Sequence, residues 1–175
     1  TYLSKSFDCY IYNCIFENCV SSKSGSQGGA IKIKITNEKD IVNITKCTFI
    51  DNKASYGGAI YFSGLYGIVS ECIFMNNVAT ATGGDFYFVS GDSLANSDAA
   101  LLIQNCKFTR NKKDIAIPLI YLKWGDVADF HFKNNEVNID VAGVTAFDTD
   151  GTLLSPKATL VCENNLINSI SSIVT

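Results

Sequence analysis

Short runs of alternating apolar and polar residues cover most of this chain. Cys47 and Phe49 lie two positions apart, so they share one face of a strand because strand side chains alternate. Lys32 lies between Ile31 and Ile33, which places the other face of that strand in water. Asn, Asp, Gly and Ser separate the runs, and helical periodicity is weak. The pattern predicts short β-strands joined by tight corners.

One phrase, Phe followed three residues later by Asn, recurs along the chain. Its four copies are Phe49–Asn52, Phe74–Asn77, Phe108–Asn111 and Phe132–Asn135. Cysteine precedes the first three copies at a constant offset, as Cys47, Cys72 and Cys106, and Phe130 takes that position in the fourth. Variant copies open the chain with Cys14, Phe16 and Cys19 and close it with Leu160, Cys162 and Asn165. Such self-similarity indicates a repeat architecture.

A glycine pair follows the variant copy at Phe16 and the copies at Phe49 and Phe74. The pairs are Gly28-Gly29, Gly57-Gly58 and Gly83-Gly84, each leading into a short apolar strand. Glycine permits a tight bend or a close backbone approach where a side chain would collide. These six glycines are therefore predicted to be structural turn residues.

The repeats are spaced by roughly thirty residues, which is typical of solenoids. Two or three short strands per repeat, with one buried face, predict a right-handed, single-stranded parallel β-helix of about six coils. Equivalent residues then form ladders along the axis. Cysteine is a small apolar filler of the core and phenylalanine a larger one. Asparagine lies at the corners, because it tolerates a left-handed backbone and its side-chain amide can form hydrogen bonds with the next coil. The predicted ladder residues are Cys14, Cys47, Cys72, Cys106, Phe16, Phe49, Phe74, Phe108, Phe132, Asn52, Asn77, Asn111, Asn135 and Asn165.

The combination of F-x-x-N with G-G-A-I, here FIDN with GGAI and FMNN with GGDF, resembles the repeat of the polymorphic outer-membrane protein family. The resemblance covers residues 14–111. It implies a right-handed parallel β-helix in a secreted, surface-displayed protein, in bacteria the passenger of an autotransporter. Repeats of this kind also occur in surface proteins of eukaryotic microbes. The family is associated with adhesion and display, so the resemblance implies no catalytic residues.

Composition narrows the classes of function. Hydrophobic residues make up 47% and charged residues 18% of the chain, which supplies a continuous core and disfavours disorder. A net charge of −3 with scattered Lys and Arg disfavours nucleic acid as a partner. The longest apolar run, Ile115–Leu122, contains Pro118 and is too short to span a bilayer. We expect no transmembrane segment in this chain.

The seven cysteines lack the paired spacing of zinc modules. Cysteines on adjacent coils lie at a distance that suits a disulfide, but their side chains are parallel, which favours buried free thiols. Cys9, Cys14 and Cys19 are the exception, because corners can bring two of them together. No metal ligands, cofactor-binding residues or catalytic residues are predicted.

Two polar groups are candidates for carbohydrate chemistry. Asp85 replaces the alanine of the GGAI motif, and alternation with Phe86 predicts that it faces outward. Asp126, Asp129 and His131 form the second group. A polysaccharide lyase or glycoside hydrolase on a β-helix scaffold is therefore the alternative function.

We expect residues 1–175 to form one β-helix segment of a longer extracellular chain that acts as a structural or adhesive module at the cell surface. Asn43 begins an Asn-Ile-Thr sequon and is a candidate for glycosylation. The polar loops Ser90–Ala99 and Thr36–Asp40 are candidates for recognition of a host glycan or protein. Neither end has an evident polar cap, so the coils are also expected to associate end to end into filaments.

Overall fold

Three parallel sheets wrap around one apolar core in this protein. The structure, a computed structural model, describes residues 8–35, 40–64, 66–89, 99–112, 117–123, 128–149 and 159–169. All regular elements in these ranges are strands. The chain visits the first, second and third sheets in turn and then begins the next coil, and all strand pairs are parallel.

The nineteen strands are numbered in chain order. The first sheet contains β1 (Asp8–Tyr12), β4 (Ile41–Thr45), β8 (Tyr66–Ser70), β12 (Ala99–Gln104), β15 (Ala128–Lys133) and β18 (Thr159–Glu163). The second contains β2 (Ile15–Glu17), β5 (Thr48–Ile50), β9 (Ile73–Met75), β13 (Lys107–Arg110), β16 (Glu136–Ile139) and β19 (Leu166–Ser169). The third contains β3 (Ile31–Lys34), β7 (Ile60–Ser63), β11 (Phe86–Val89), β14 (Ile120–Lys123) and β17 (Phe147–Thr149). A short fourth sheet pairs β6 (Lys53–Tyr56) with β10 (Val78–Thr82).

This arrangement confirms the predicted class, an all-β parallel β-helix built from sequence repeats. The number of coils differs slightly from the prediction of about six. Among the described residues, two sheets have six strands and the third has five, so the last described coil contributes strands to the first two sheets.

Equivalent side chains stack along the axis because successive strands pair without a register shift in the three main sheets. In the second sheet Phe16, Phe49, Phe74 and Phe108 occupy one column, with ring centroids 5.0, 4.9 and 4.7 Å apart and nearly parallel planes. The last three of these rings are fully buried. Burying each ring contributes about 2 kcal/mol, so this column is a major part of the core.

The glycine pairs form the entry to the third sheet. Gly28, Gly57 and Gly83 have positive φ angles of 68°, 64° and 69°. Residues with a side chain rarely adopt such angles. Gly58 serves a different purpose, because a Cβ there would lie 2.2 Å from the Gly84 carbonyl oxygen. The first glycine therefore makes the turn, and the second lets adjacent coils touch backbone to backbone.

Candidate functional site

The first corner, between the first and second sheets, is held by a ladder of hydrogen bonds through cysteine. The Sγ of Cys72 accepts the backbone N–H of Cys47 at 3.4 Å, and the Sγ of Cys106 accepts that of Cys72 at 3.4 Å. Each thiol also donates to a backbone carbonyl, for example Cys72 to Ser70 at 3.2 Å. Burial raises the pKa of the Cys106 thiol, which keeps it protonated and able to donate. All seven cysteines are free thiols.

Asparagine continues this same ladder in the last two coils. Asn135 Oδ1 accepts the N–H of Cys106 at 2.8 Å, and Asn165 Oδ1 accepts the N–H of Asn135 at 2.9 Å. The Nδ2 groups donate to the carbonyls of Ile103 and Phe132. Cysteine and asparagine are thus interchangeable at this corner.

The second corner, after the second sheet, has its own ladder. Asn52 Oδ1 accepts the N–H of Cys19 at 2.9 Å, while its Nδ2 donates to the Phe16 carbonyl at 3.0 Å. Asn77 repeats this pattern one coil later, with Oδ1 accepting the Asn52 N–H at 3.0 Å and Nδ2 donating to the Phe49 carbonyl. Both asparagines are fully buried.

The left-handed backbone predicted for the ladder asparagines belongs to the residues that precede them. Asp51 and Asn76, directly before Asn52 and Asn77, have φ of 52° and 54°. At the first corner, the residues with φ near 54° that precede each ladder position are Asn13, Lys46, Glu71, Asn105, Asn134 and Asn164. The ladder residues supply the hydrogen bonds, and their predecessors supply the turn.

Two predicted ladder residues, Phe132 and Asn111, lie outside their ladders, and two others, Asn135 and Asn165, are ladder residues at another corner than predicted. Phe132 lies in the first sheet opposite Ile103, and the phenylalanine column continues instead with Val137. Asn135 and Asn165 belong to the cysteine ladder of the first corner. Asn111 is exposed and outside both ladders, because Arg110 turns inward in its place. The F-x-x-N copy at Phe132 lies in the first sheet, whereas the other copies begin in the second sheet. It therefore comes one strand and one corner too early in the coil to join their column.

Asp85 is buried, which contradicts its predicted outward position. The backbone N–H groups of Asp85 and Phe86 both donate to the Leu119 carbonyl, at 2.8 and 3.0 Å. This irregularity breaks the alternation, so two consecutive side chains turn inward, as Ala59 and Ile60 do one coil earlier. Alternation fails at the entry to the third sheet.

Arg110 is also fully buried and lies close to Asp85. Asp85 Oδ1 accepts a hydrogen bond from Asn77 Nδ2 at 2.8 Å, and Arg110 Nη2 donates to the Asn77 carbonyl. Burial raises the pKa of Asp85 to about 6, against the opposing effects of Arg110 and Asn77. Among the described residues, Asp85 Oδ2 and Arg110 Nε and Nη1 have no hydrogen-bond partner.

Together Asp85 and Arg110 replace the asparagine that is missing from the second corner in the coil after Asn77. In coil 2 the Asn52 amide donates to Asn77 Oδ1, and the Asn52 carbonyl accepts the N–H of Val78. In coil 3 Asp85 accepts from the Asn77 amide, and Arg110 donates to its carbonyl. The pair therefore closes the ladder where the short fourth sheet ends. Arg110 lies two residues after Phe108 in the same strand, so alternation predicts that its side chain points inward. It was not among the candidates from the sequence.

The remaining polar candidates do not converge. Asp129 is exposed and accepts a hydrogen bond from Thr159, and His131 is half-buried beside Leu102 and Val161. Asp126 lies outside the described residues, as do 90–98 and 36–39 of the two predicted recognition loops. Asn43, the predicted glycosylation candidate, is half-buried on the outer face of β4. Within the described ranges, no cluster of three or more His, Cys, Asp or Glu side chains is suited to a metal ion.

Two outer surfaces were not anticipated. A row of stacked tyrosines, Tyr61, Tyr87 and Tyr121, crosses the third sheet with centroids 5.2 and 5.1 Å apart. The sequence contains the signal for this row, because in three successive coils a tyrosine lies between two core residues of the same strand. An apolar groove of about 250 Å³ lies on the first sheet between Ile41, Ile68 and Leu102. Both surfaces belong to faces that alternation directs away from the core.

Comparisons with protein-family models, with curated proteins and with solved structures each found no match. In the part of the chain that the structure describes, no helix is both long and apolar enough to cross a membrane.

Proposed function

We propose that this chain is an extracellular, surface-displayed β-helix module that acts as a structural spacer and adhesin. The main support is the stacking of like residues over successive coils, most clearly from Phe16 to Phe108, which makes a stiff rod with fixed outer faces. Membership of the polymorphic outer-membrane protein repeat family is part of this proposal and rests on the motifs at 49–60 and 74–86. Glycosylation of Asn43 remains a prediction from its sequon.

The outer faces carry the surfaces that adhesion requires. The first sheet presents a shallow apolar groove, and the third presents Tyr61 and Tyr121, with Tyr87 between them only 8% exposed and Lys32 at one end of the same column. Flat surfaces with aromatic and apolar side chains are suited to binding partners rather than to enclosing a substrate. A rod that displays such surfaces can hold a partner at a distance from the cell.

The alternative function, a polysaccharide lyase or glycoside hydrolase, is no longer supported by Asp85, its main candidate residue. Asp85 is enclosed by the core and bonded to Asn77, so it does not reach a polymer on the surface. Asp129 and His131 remain its only described candidates from the sequence.

The purified chain on an array of glycans and extracellular proteins tests the proposal. We expect binding to a subset of ligands, without new reducing ends or unsaturated sugars when the same glycans are incubated with the chain. Turnover that disappears in Asp129→Ala would instead establish the enzyme. Absence of both binding and turnover would leave the spacer role alone and refute the adhesive one.

A further inference from the structure

A polar groove runs along the second corner, outside the surfaces described above. Asn18, Asp51 and Asn76 occupy equivalent left-handed positions on three successive coils, with φ of 54°, 52° and 54°. The backbone N–H groups of Asn18 and Asp51 each donate to the next coil at 3.0 Å. Their side chains therefore leave the corner from equivalent positions, spaced by about 4.8 Å, the distance between strands.

Asn76 holds a lysine from the next coil over this groove. Its Oδ1 accepts the N–H groups of Asn111 and Lys112 at 3.0 and 3.3 Å, and its Nδ2 donates to Asn111 Oδ1 at 2.9 Å. The Lys112 ammonium group then reaches back to both carboxylate oxygens of Asp51, at 2.7 and 2.8 Å. Because Asn76 is only 5% exposed, this clamp is part of the folded corner.

The groove encloses about 270 Å³ and has an excess of positive charge. Among the described residues that line it, Lys112 and Lys53 stand against the single carboxylate of Asp51. Lys53 is exposed, and among the described residues its ammonium group has no ion-pair partner. Half-buried Val78 adds an apolar patch to the lining. The local charge is opposite to the net charge of −3 of the chain.

These features select the class of ligand. A cation is disfavoured, because Lys112 already occupies both oxygens of Asp51 and a second ammonium group is nearby. An apolar ligand would leave the amide of Asn18 and the ammonium group of Lys53 desolvated. A ligand that combines a carboxylate with hydroxyl groups and one apolar face fits every side of the groove. Its volume lies near the lower limit of about 300 Å³ for small-molecule pockets, which suits a single sugar ring.

We propose that this groove binds one acidic sugar residue, of the uronate class, within a polysaccharide. The sugar carboxylate lies between Lys53 and Lys112, its hydroxyl groups bond Asp51 and Asn18, and its ring contacts Val78. The inference rests on the adhesive function proposed above and names its ligand class.

Calorimetric titration of the purified chain with oligogalacturonate tests this site. The fully methyl-esterified oligomer is the matched neutral ligand, since it keeps the rings and loses the charges. We expect Lys53→Gln and Lys112→Gln each to weaken binding about tenfold, the usual effect of removing a charge-assisted hydrogen bond. Esterification should weaken binding by about tenfold or more for the same reason.

Lys46→Gln is the matched control, because Lys46 is an exposed lysine at the first corner, 3.8 Å from Glu71. Its affinity should stay within about twofold of the unchanged chain, since exposed ion pairs contribute little. An equal loss in this control would show non-specific attraction and overturn the proposal. Inorganic sulfate that competes as strongly as the uronate would show a simple anion site, and the sugar assignment would be wrong.

The array experiment separates this proposal from the adhesive function. If oligogalacturonate does not bind while other glycans or proteins on the array do, the groove assignment fails and the adhesin stands. If nothing on the array binds, both fail. Circular dichroism of each lysine variant verifies that its fold is unchanged.

Discussion

Cysteine and asparagine occupy equivalent corner positions because both join a hydrogen-bond acceptor and a donor on a short side chain. At the first corner the thiol of Cys106 and the amide of Asn135 serve successive coils, and each accepts a backbone N–H while donating to a carbonyl. At the second corner Cys19 opens a column that Asn52 and Asn77 continue. The cysteines are therefore polar corner residues as much as apolar fillers.

This equivalence predicts a graded response at Asn52. Asn52→Ala removes the buried side-chain hydrogen bonds to the Cys19 N–H, the Phe16 carbonyl and Asn77 Oδ1, and we expect a loss of about 3 kcal/mol in the free energy of unfolding. Asn52→Cys should recover part of this loss, because a thiol fills the same position at the first corner. Urea unfolding of both variants measures the difference.

Asn168→Ala is the control for this series, because the Asn168 side chain is exposed and bonds only Asn138 among the described residues. Its cost should be below about 0.5 kcal/mol. Equal stability of Asn52→Ala and Asn52→Cys would contradict the interchange.

Asp85 predicts an unusual dependence of stability on pH. Its pKa is raised from 3.8 to about 6 by burial, so the folded chain binds a proton that the unfolded chain releases at intermediate pH. The contribution of Asp85 to stability therefore increases as the pH falls from above 6 to below 4, and decreases as the pH rises. Relative to Asp85→Asn, the unchanged chain should gain about 2 kcal/mol between pH 7 and pH 4.

Urea unfolding of both proteins at a series of pH values measures this gain. The difference between them isolates Asp85, because the other ionisable groups are common to both. A difference that is constant across the range, or that has the opposite slope, would show that Asp85 is not enclosed as described.

At the scale of strands, the sequence predicted register wherever the motif repeats in place and failed where a similar motif arises by chance. The copies at Phe49, Phe74 and Phe108 align in one column, as expected from their constant offset to cysteine. Phe132 follows another phenylalanine instead of cysteine, and its strand belongs to the first sheet. The cysteine offset was therefore the better guide to register than F-x-x-N alone.

The surroundings of Asp85 and Arg110 were beyond prediction from the sequence for a physical reason. Both residues depend on a contact between coils, 25 positions apart in the chain, and on an irregular turn that reverses the alternation. Local periodicity indicates only that Arg110 points inward, and it carries no information about the contact between coils or about the irregular turn at Asp85. Side-chain direction at such a corner follows from the backbone hydrogen bonds of the next coil.

The spacing of coils makes a strong prediction about Gly58. In Gly58→Ala the new Cβ would meet the Gly84 oxygen at 2.2 Å and the Val78 oxygen at 2.5 Å, both of them backbone atoms that cannot move without separating two coils. We expect a loss above about 3 kcal/mol or failure to fold. Gly25→Ala meets open space and costs only its left-handed φ of 74°, about 1 kcal/mol. Thermal unfolding compares the two, and similar melting temperatures would contradict the close approach.

Among the described residues, the interior columns of the stack extend into both the first and the last coil. Leu160 continues the core column of Phe130 but is 41% exposed, and Phe16 and Ile31 in the first coil are half-buried. The backbone edges of β1 and β18 also lie at the ends of the first sheet. Apolar columns beside strand edges that have no described partner strand favour pairing with a further coil, from this chain or from a second copy.

We therefore expect end-to-end association to depend on whether a side chain of the last coil lies in the core column or on the outer face, and not on how hydrophobic that side chain is. Leu160→Asp places a charge in the end column, where association would desolvate it, and should weaken self-association by more than about tenfold. Leu166→Asp is the matched control, because Leu166 lies in the same coil and is 58% exposed, but pairs with Glu136 on the outer face of the second sheet. Sedimentation velocity over a range of concentrations should show association for the unchanged chain and for Leu166→Asp, and monomers for Leu160→Asp. An unchanged chain that stays monomeric, or two variants that behave alike, would rule out the end faces as the surface of assembly.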